Sequence, residues 1–378
     1  MHASISRRDF ARLSALALGT LAATGCGGGA EDGTEGMDDG AENAPPRPLS
    51  ILVLGGTGFI GPHQVQFALD RGHSVTLFNR GQSAPDMFPE LETIIGDRET
   101  DLEGLRGRQW DAVIDNSATN PEWVRASTRL LADAAGRYLY ISSTGVYYPY
   151  LTTGADESVE PLLEKTEEGG MSSSYGVDKA RSEDVVEAAF GQRGLVVRPH
   201  FIAGPGDATD RFTSWPVRLD DRPEVVAPGT PEDPVQYVDV RDLTSWMIRL
   251  LENDVGGVFN AGGPAQPQGV GEFIRRVATA IGSEAQATWI DDLDFLREHR
   301  FSAVPWIPPE GDLLGMATVN SDKALSQGLT LRPVEETARD SLAWFRGQPE
   351  ERQADLRHGP SPEAEAEMLA AWKARTNA

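Results

Sequence analysis

The sequence predicts an α/β protein built on a doubly wound parallel sheet, and three observations carry that expectation. Ile51-Leu52-Val53-Leu54 is an unbroken apolar run, as a strand buried on both faces requires. Glycines at 55, 56, 58 and 61 follow it, then a helical pattern running to Asp70. Apolar runs and helical stretches then alternate as far as Phe201, the signature of a sheet with helices on both faces.

Each element has its own reason. Pro62 is tolerable because it falls in the first turn of the first helix. A second strand, Val75 to Asn79, follows the turn at Gly72, so strand, loop, helix and strand complete one βαβ unit. In such a unit Gly55 permits the tight turn, Gly58 lets the backbone approach a pyrophosphate, and Gly61 allows close helix–strand packing. The helix N-terminus then offers free N–H groups to the phosphates. Gly55, Thr57, Gly58, Phe59, Ile60 and Gly61 are therefore the candidate dinucleotide contacts. At the end of the second strand an NAD site normally presents an acid, and this chain has Asn79-Arg80. A neutral amide beside a guanidinium suits a 2′-phosphate, which favours NADP, with NAD the other candidate and a solvent-facing Arg80 the alternative. Later strands read as "ETIIGD" ending at Asp97, "DAVIDNSA" to Ala118, "RYLYISS" to Ser143 and "GLVVRPHF" to Phe201. Asp97, Arg98 and Ser117, at two of these strand ends, join the cofactor candidates, although an aspartate after glycine also serves turns. Helices are expected over about Pro121–Ala135 and Ser174–Phe190.

The 378 residues carry a net charge of −24. An acidic surface repels phosphate backbones and anionic headgroups, which argues against a nucleic-acid or membrane-surface protein; it also serves simple solubility. The N-terminus has a different character. Arg7-Arg8 precede an apolar run, Leu13 to Ala23, too short to span a bilayer, and the chain's single cysteine, Cys26, closes it. The stretch resembles a twin-arginine export signal ending in a lipoprotein box, with alanine in place of the usual leucine three residues before Cys26. Loss of residues 1–25 removes three arginines and one aspartate and leaves −26. No internal disulfide is possible, so the fold rests on its core. Residues 26–48 are glycine-rich and acidic without apolar periodicity, as a disordered tether would be. The expected location is periplasmic or at the cell surface, held to the membrane only by a lipid at Cys26. Six histidines show no ligand spacing, and no metal site is expected.

"GGTGFIG", "GDR", "YISSTGVY", "YGVDK" and "VVRPHFIAGPGD", in this order, resemble the extended short-chain dehydrogenase/reductases, the superfamily of nucleotide-sugar epimerases and dehydratases. The resemblance covers about residues 49–345. It implies a Rossmann domain over 49–205 and, over 206–345, segments of a smaller discontinuous substrate domain mixed with returning Rossmann elements. Residues 346–378 are then a charged tail with a short helix. The family's Tyr-x-x-x-Lys pair falls on Tyr175 and Lys179, on one face of a helix. A phenol is a poor base at neutral pH, and a neighbouring cation favours its phenolate. The resemblance gives Tyr175 the role of base, gives Lys179 the nicotinamide ribose, and gives Ser143 the reacting oxygen, with Ser142 its nearest competitor. Family members commonly pair as dimers through the two helices named above, where Leu130, Leu131, Val185 and Val186 are either dimer knobs or sheet-facing core.

The pattern departs from the family at the substrate. An arginine that grips the substrate diphosphate is replaced by Val235, and a nearby histidine by Asp239. An apolar side chain cannot neutralise a diphosphate. Arg211, Arg218 and Arg241 remain nearby, the last able to pair with Asp239 or Asp242. His200, Arg211 and Trp215 are the candidate contacts for a sugar-like substrate. Six of eight tryptophans lie from Trp215 onward, as core or as a sugar platform. Export of a folded protein would carry its cofactor along, and a trapped cofactor must be returned to its starting state, as in epimerisation or dehydration. A lipid-anchored sensor holding NADP, or an RNA-binding relative of this fold, are the rival readings, the second opposed by the charge and by the intact tyrosine and lysine.

Overall fold

The computed structural model describes residues 47–116, 119–164 and 170–376. The export signal, residues 26–46 of the tether including Cys26, and Ser117 lie outside the described residues. In chain order the strands are β1 (Ser50–Leu54), β2 (Ser74–Asn79), β3 (Glu92–Ile95), β4 (Trp110–Asp115), β5 (Ala135–Ile141), β6 (Gly194–Pro199), β7 (Ile202–Ala203), β8 (Glu224–Pro228), β9 (Val238–Asp239), β10 (Gly257–Ala261) and β11 (Gln286–Ile290). The helices are α1 (Gly61–Asp70), α2 (Pro121–Leu131), α3 (Gly170–Phe190), α4 (Ser214–Asp221), α5 (Val240–Glu252), α6 (Val270–Ile281), α7 (Leu293–Glu298), α8 (Asp322–Ser326), α9 (Val334–Arg346), α10 (Glu350–Gln353) and α11 (Pro362–Thr376). No helix among the described residues is long and apolar enough to cross a membrane.

Seven strands form one parallel sheet in the order β10-β6-β5-β4-β1-β2-β3. Each apolar strand feeds two cores. On one face, Ile51 and Val53 pack with Val65 and Ala68 of α1 and with Leu243, Trp246 and Met247 of α5. On the other, Leu52 and Leu54 pack with Val124 and Leu131 of α2 and with Val185, Val186 and Phe190 of α3. The doubly wound expectation therefore holds, and the chain returns to this sheet for α5 and β10.

The second lobe pairs β8 with β11 in parallel and packs Phe212, Trp215, Phe273 and Met368 around them. Residues 362–376 are not a tail. Helix α11 is 15 residues long and inserts Glu365 beneath β8, where one carboxylate meets the Arg218 and Arg222 guanidinium groups and the Val226 N–H at 2.8 Å. Both Arg218 and Glu365 are buried, which periodicity could not show in so acidic a helix.

Two further expectations are corrected. The third strand ends at Ile95, and Asp97 belongs to a turn in which its N–H donates to the Asp101 carbonyl. Helix α2 stops at Leu131, and Ala135 opens β5. Of the two readings open for Leu130, Leu131, Val185 and Val186, the core one describes their packing: the last three are buried in the cluster beneath the sheet and Leu130 packs against it.

The buried Glu365 yields a stability prediction. Glu365→Ala leaves Arg218 charged and unpaired inside the lobe, and breaking such a pair costs about 3–5 kcal/mol. A denaturation midpoint unchanged from wild type would show that α11 contributes no such clamp.

Candidate active site

The first half of the site is the loop between β1 and α1. Gly55 has φ 86°, a left-handed conformation open to glycine, and its N–H donates to the Phe78 carbonyl at 3.0 Å. Gly61 touches the loop itself, since a Cβ there would stand 2.4 Å from the Gly56 carbonyl carbon. Helix α1 begins without a side-chain cap at Ile60 and without an acid in its first turn. Its free N–H groups are thus left for an external anion. A Cβ on Gly58 would meet nothing within 4 Å, so the backbone there borders open space of the kind a pyrophosphate fills. Thr57 lies in this loop, and Phe59 and Ile60 line the adjoining cavity. These residues fit a dinucleotide.

The ribose side is mixed. Asn79 uses its side-chain oxygen to accept the Gly81 N–H at 2.8 Å, and Arg80 is exposed beyond it. Asp97 accepts the Glu99 N–H, the turn chemistry that its sequence context left open. Arg98 is corrected as a cofactor contact through its guanidinium, which grips the buried Asp115 carboxylate at 2.5 and 2.7 Å. Tyr138 adds a hydroxyl to the same carboxylate at 2.6 Å.

The second half forms where β5 ends. Ser143 begins a short 3-10 turn and accepts the Gly145 N–H on Oγ at 3.0 Å. The Tyr175 ring from α3 and the Ser143 hydroxyl flank the same point, since a Cβ on Gly145 would stand 3.1 Å from Tyr175 Cε1 and 3.2 Å from Ser143 Oγ. Two glycines permit this approach: a Cβ on Gly176 would lie 2.2 Å from the Gly145 carbonyl oxygen, and one on Gly145 would press on the Tyr175 ring at 3.1 Å. Ser142 is excluded from the role of Ser143 because its hydroxyl is bonded to Glu183, itself paired with Arg198.

Lys179 stands one turn from Tyr175 and is buried, donating from Nζ to the Ile141 carbonyl at 2.7 Å. Burial lowers its pKa to about 8, against the opposing pull of Asp115 and Glu183. Burial raises the Tyr175 phenol above its ordinary value, while the neighbouring Ser143 hydroxyl and the Arg211 charge pull it down. The cation acting on the phenol here is therefore Arg211, where the sequence pointed to Lys179.

Between the two halves lies a cavity of about 610 Å³, lined by Ser143, Tyr175 and Lys179 together with His200 and Arg211. His200 is held by a bond from Nε2 to the Met316 carbonyl at 2.8 Å, and burial lowers its pKa to about 4, so it is neutral at physiological pH. Trp215 is corrected: it is fully buried, its indole N–H donates to the Val304 carbonyl at 3.0 Å, and it packs edge-on to Phe273. Sequence reasoning missed Asn116 and Asp207, which also line the cavity. Asn116 immediately follows β4, and the rule that ligands sit at strand C-termini pointed to it. Met316 and Leu313 reach the cavity from far along the chain and had no local signal.

Comparison with known proteins agrees with this geometry. Residues 51–262 match the model of the NAD dependent epimerase/dehydratase family. A 2-alkyl-3-oxoalkanoate reductase of Stenotrophomonas maltophilia is 30% identical over 276 residues, covering 62% of this chain and 76% of the reductase. A UDP-glucose 4-epimerase of Azospirillum brasilense is 26% identical over 344 residues, covering 76% of this chain and 94% of the epimerase. Among solved structures, a UDP-glucuronic acid 4-epimerase from Bacillus cereus in complex with NAD shares the fold, with a TM-score of 0.58, 19% identity, and coverage of 80% of this chain and 99% of that one. The glycine loop, the strand order and the serine, tyrosine and lysine at one cavity converge on the same assignment: the chain is an enzyme belonging to the NAD dependent epimerase/dehydratase family.

Proposed function

We propose that the protein is an epimerase or dehydratase that oxidises a hydroxyl-bearing carbon of a sugar-like substrate and later restores the cofactor it used. The meeting of Ser143, Tyr175 and Lys179 on one cavity wall carries this reading. Bound NAD(P) supplies a hydride acceptor that becomes the hydride donor of the second half-reaction. Tyr175 takes the hydroxyl proton, and Ser143 holds the reacting oxygen. Lys179 is charged below about pH 8 and is placed to hold the nicotinamide ribose, while the Arg211 charge favours the phenolate. Neutral His200 and Met316 close the wall.

NADP is the proposed cofactor, supported by exposed Arg80 and by the absence of an acid at Asn79-Arg80. We place the protein outside the cytoplasm, exported folded by the twin-arginine machinery and anchored at Cys26, with its cofactor kept tightly. Its supports are the Arg7-Arg8 signal and the complete dinucleotide loop in one chain. The rival sensor and RNA-binding readings leave the Ser143–Tyr175 pair without a purpose.

Three outcomes are expected. Tyr175→Phe lowers turnover by on the order of 10²–10⁴ while cofactor remains bound; near-wild-type turnover would remove Tyr175 as base. Because the phenolate is the active form and burial holds the phenol high, kcat rises with pH through the neutral range; a flat profile would contradict a titrating phenol. Gly58→Val places a side chain in the open space bordering the loop, so the fold persists and bound cofactor is lost. Thermal melting and release of nucleotide from the purified variant check both halves, and a variant that retains its cofactor refutes the loop assignment.

A further inference from the structure

We propose that the cavity recognises a small substrate bearing a carboxylate, a free sugar acid in place of a nucleotide diphosphate sugar, with the carboxylate on Arg211 and a hydroxyl on Asp207. The proposal rests on the oxidoreductase reading and names its substrate class.

The first observation is a process of elimination among cations. Arg198 is spent on Glu183, Arg218 on Glu365, and Arg241 on Asp239 and Asp340. Arg352 pairs with Asp210 at 2.6 Å, and Arg357 donates to the Ala208 carbonyl. Arg211 differs. Its guanidinium makes no hydrogen bond or ion pair among the described residues, and it lines the same cavity as Tyr175. A single planar guanidinium matches a carboxylate through two parallel hydrogen bonds. A diphosphate needs more positive charge than this, and the place where one further cation was expected holds Val235, buried and bridged to Trp306.

The second observation is independent. Asp207 is 3% exposed and lies on the cavity wall. Its Oδ1 is occupied by the Thr209 N–H and hydroxyl at 2.8 and 2.6 Å, while Oδ2 is buried without a partner. A buried carboxylate oxygen left unpaired is costly, and a substrate hydroxyl would satisfy it. The loop "GPGDATDR" thus presents a donor and an acceptor four residues apart. Arg211, Asp207 and Tyr175 line one cavity, which brings the recognised anion and the reacting carbon into the same space.

The test uses the cofactor-loaded full chain and titration calorimetry with D-glucuronate, D-galacturonate, D-glucose and UDP-glucose. At least one uronate is expected to bind, with D-glucose at least tenfold weaker. Arg211→Gln should weaken uronate binding about 10- to 100-fold and leave D-glucose unchanged. Asp207→Asn should weaken both sugars several-fold, with bound cofactor and melting temperature retained. Equal binding of D-glucose and the uronates, indifference of uronate binding to Arg211→Gln, or UDP-glucose binding tenfold tighter than either uronate would each overturn the proposal. Failure of the underlying reading looks different: Tyr175→Phe would then turn over normally while uronate binding still required Arg211.

Discussion

From Ile51 to Leu54 the first strand is fully buried, with β2 hydrogen-bonded along one side and β4 along the other, all parallel. A parallel sheet covered by helices on both faces has no surface left for chemistry except the ends of its strands. The chain therefore leaves β1, β4, β5 and β6 at the same edge, and the residues that follow them, Gly55, Asn116, Ser143 and His200, meet there. None of these neighbours in space is a neighbour in sequence. The site exists because the sheet is buried, and its four walls are set by strand register.

Within that frame, small residues control the distances that matter. Glycines at 145 and 176 bring α3 so close to the turn after β5 that the Tyr175 ring lies beside the Ser143 hydroxyl. A methyl group at either position would open the contact, and catalytic geometry is sensitive at that scale. The same device recurs at Gly61 against Gly56, which fixes the start of α1 toward the open space at Gly58.

Charge is organised by a second rule. Inside both lobes each buried carboxylate of the main networks carries its arginine: Asp115 with Arg98, Glu183 with Arg198, Asp239 with Arg241, Glu365 with Arg218. Such pairs repay desolvation only when geometry is good, and they fix position more than they add stability. Their effect on function is subtractive. They remove from the cavity the cations that the sequence offered it, and they leave Arg211.

A parallel sheet wound on both faces, the glycine loop and the tyrosine–lysine face were legible in the sequence, whereas the order of the strands was read only from the fold. Apolar runs, glycine spacing and a four-residue repeat are local patterns, and local patterns survive in one dimension. The choice of Ser143 over Ser142 needed the partner of each hydroxyl, and Glu183 supplies one of them from another element. Trp215 read as a pocket residue because aromatic character says nothing about direction, and the packing of Phe273 and the Val304 carbonyl turned it inward. The placement of Glu365 beneath β8 was equally invisible, since a buried acid looks like any other in an acidic helix. These depended on the folded chain because each turns on which groups share a low-dielectric interior, and partners 41 to 147 positions apart meet only once the chain has folded.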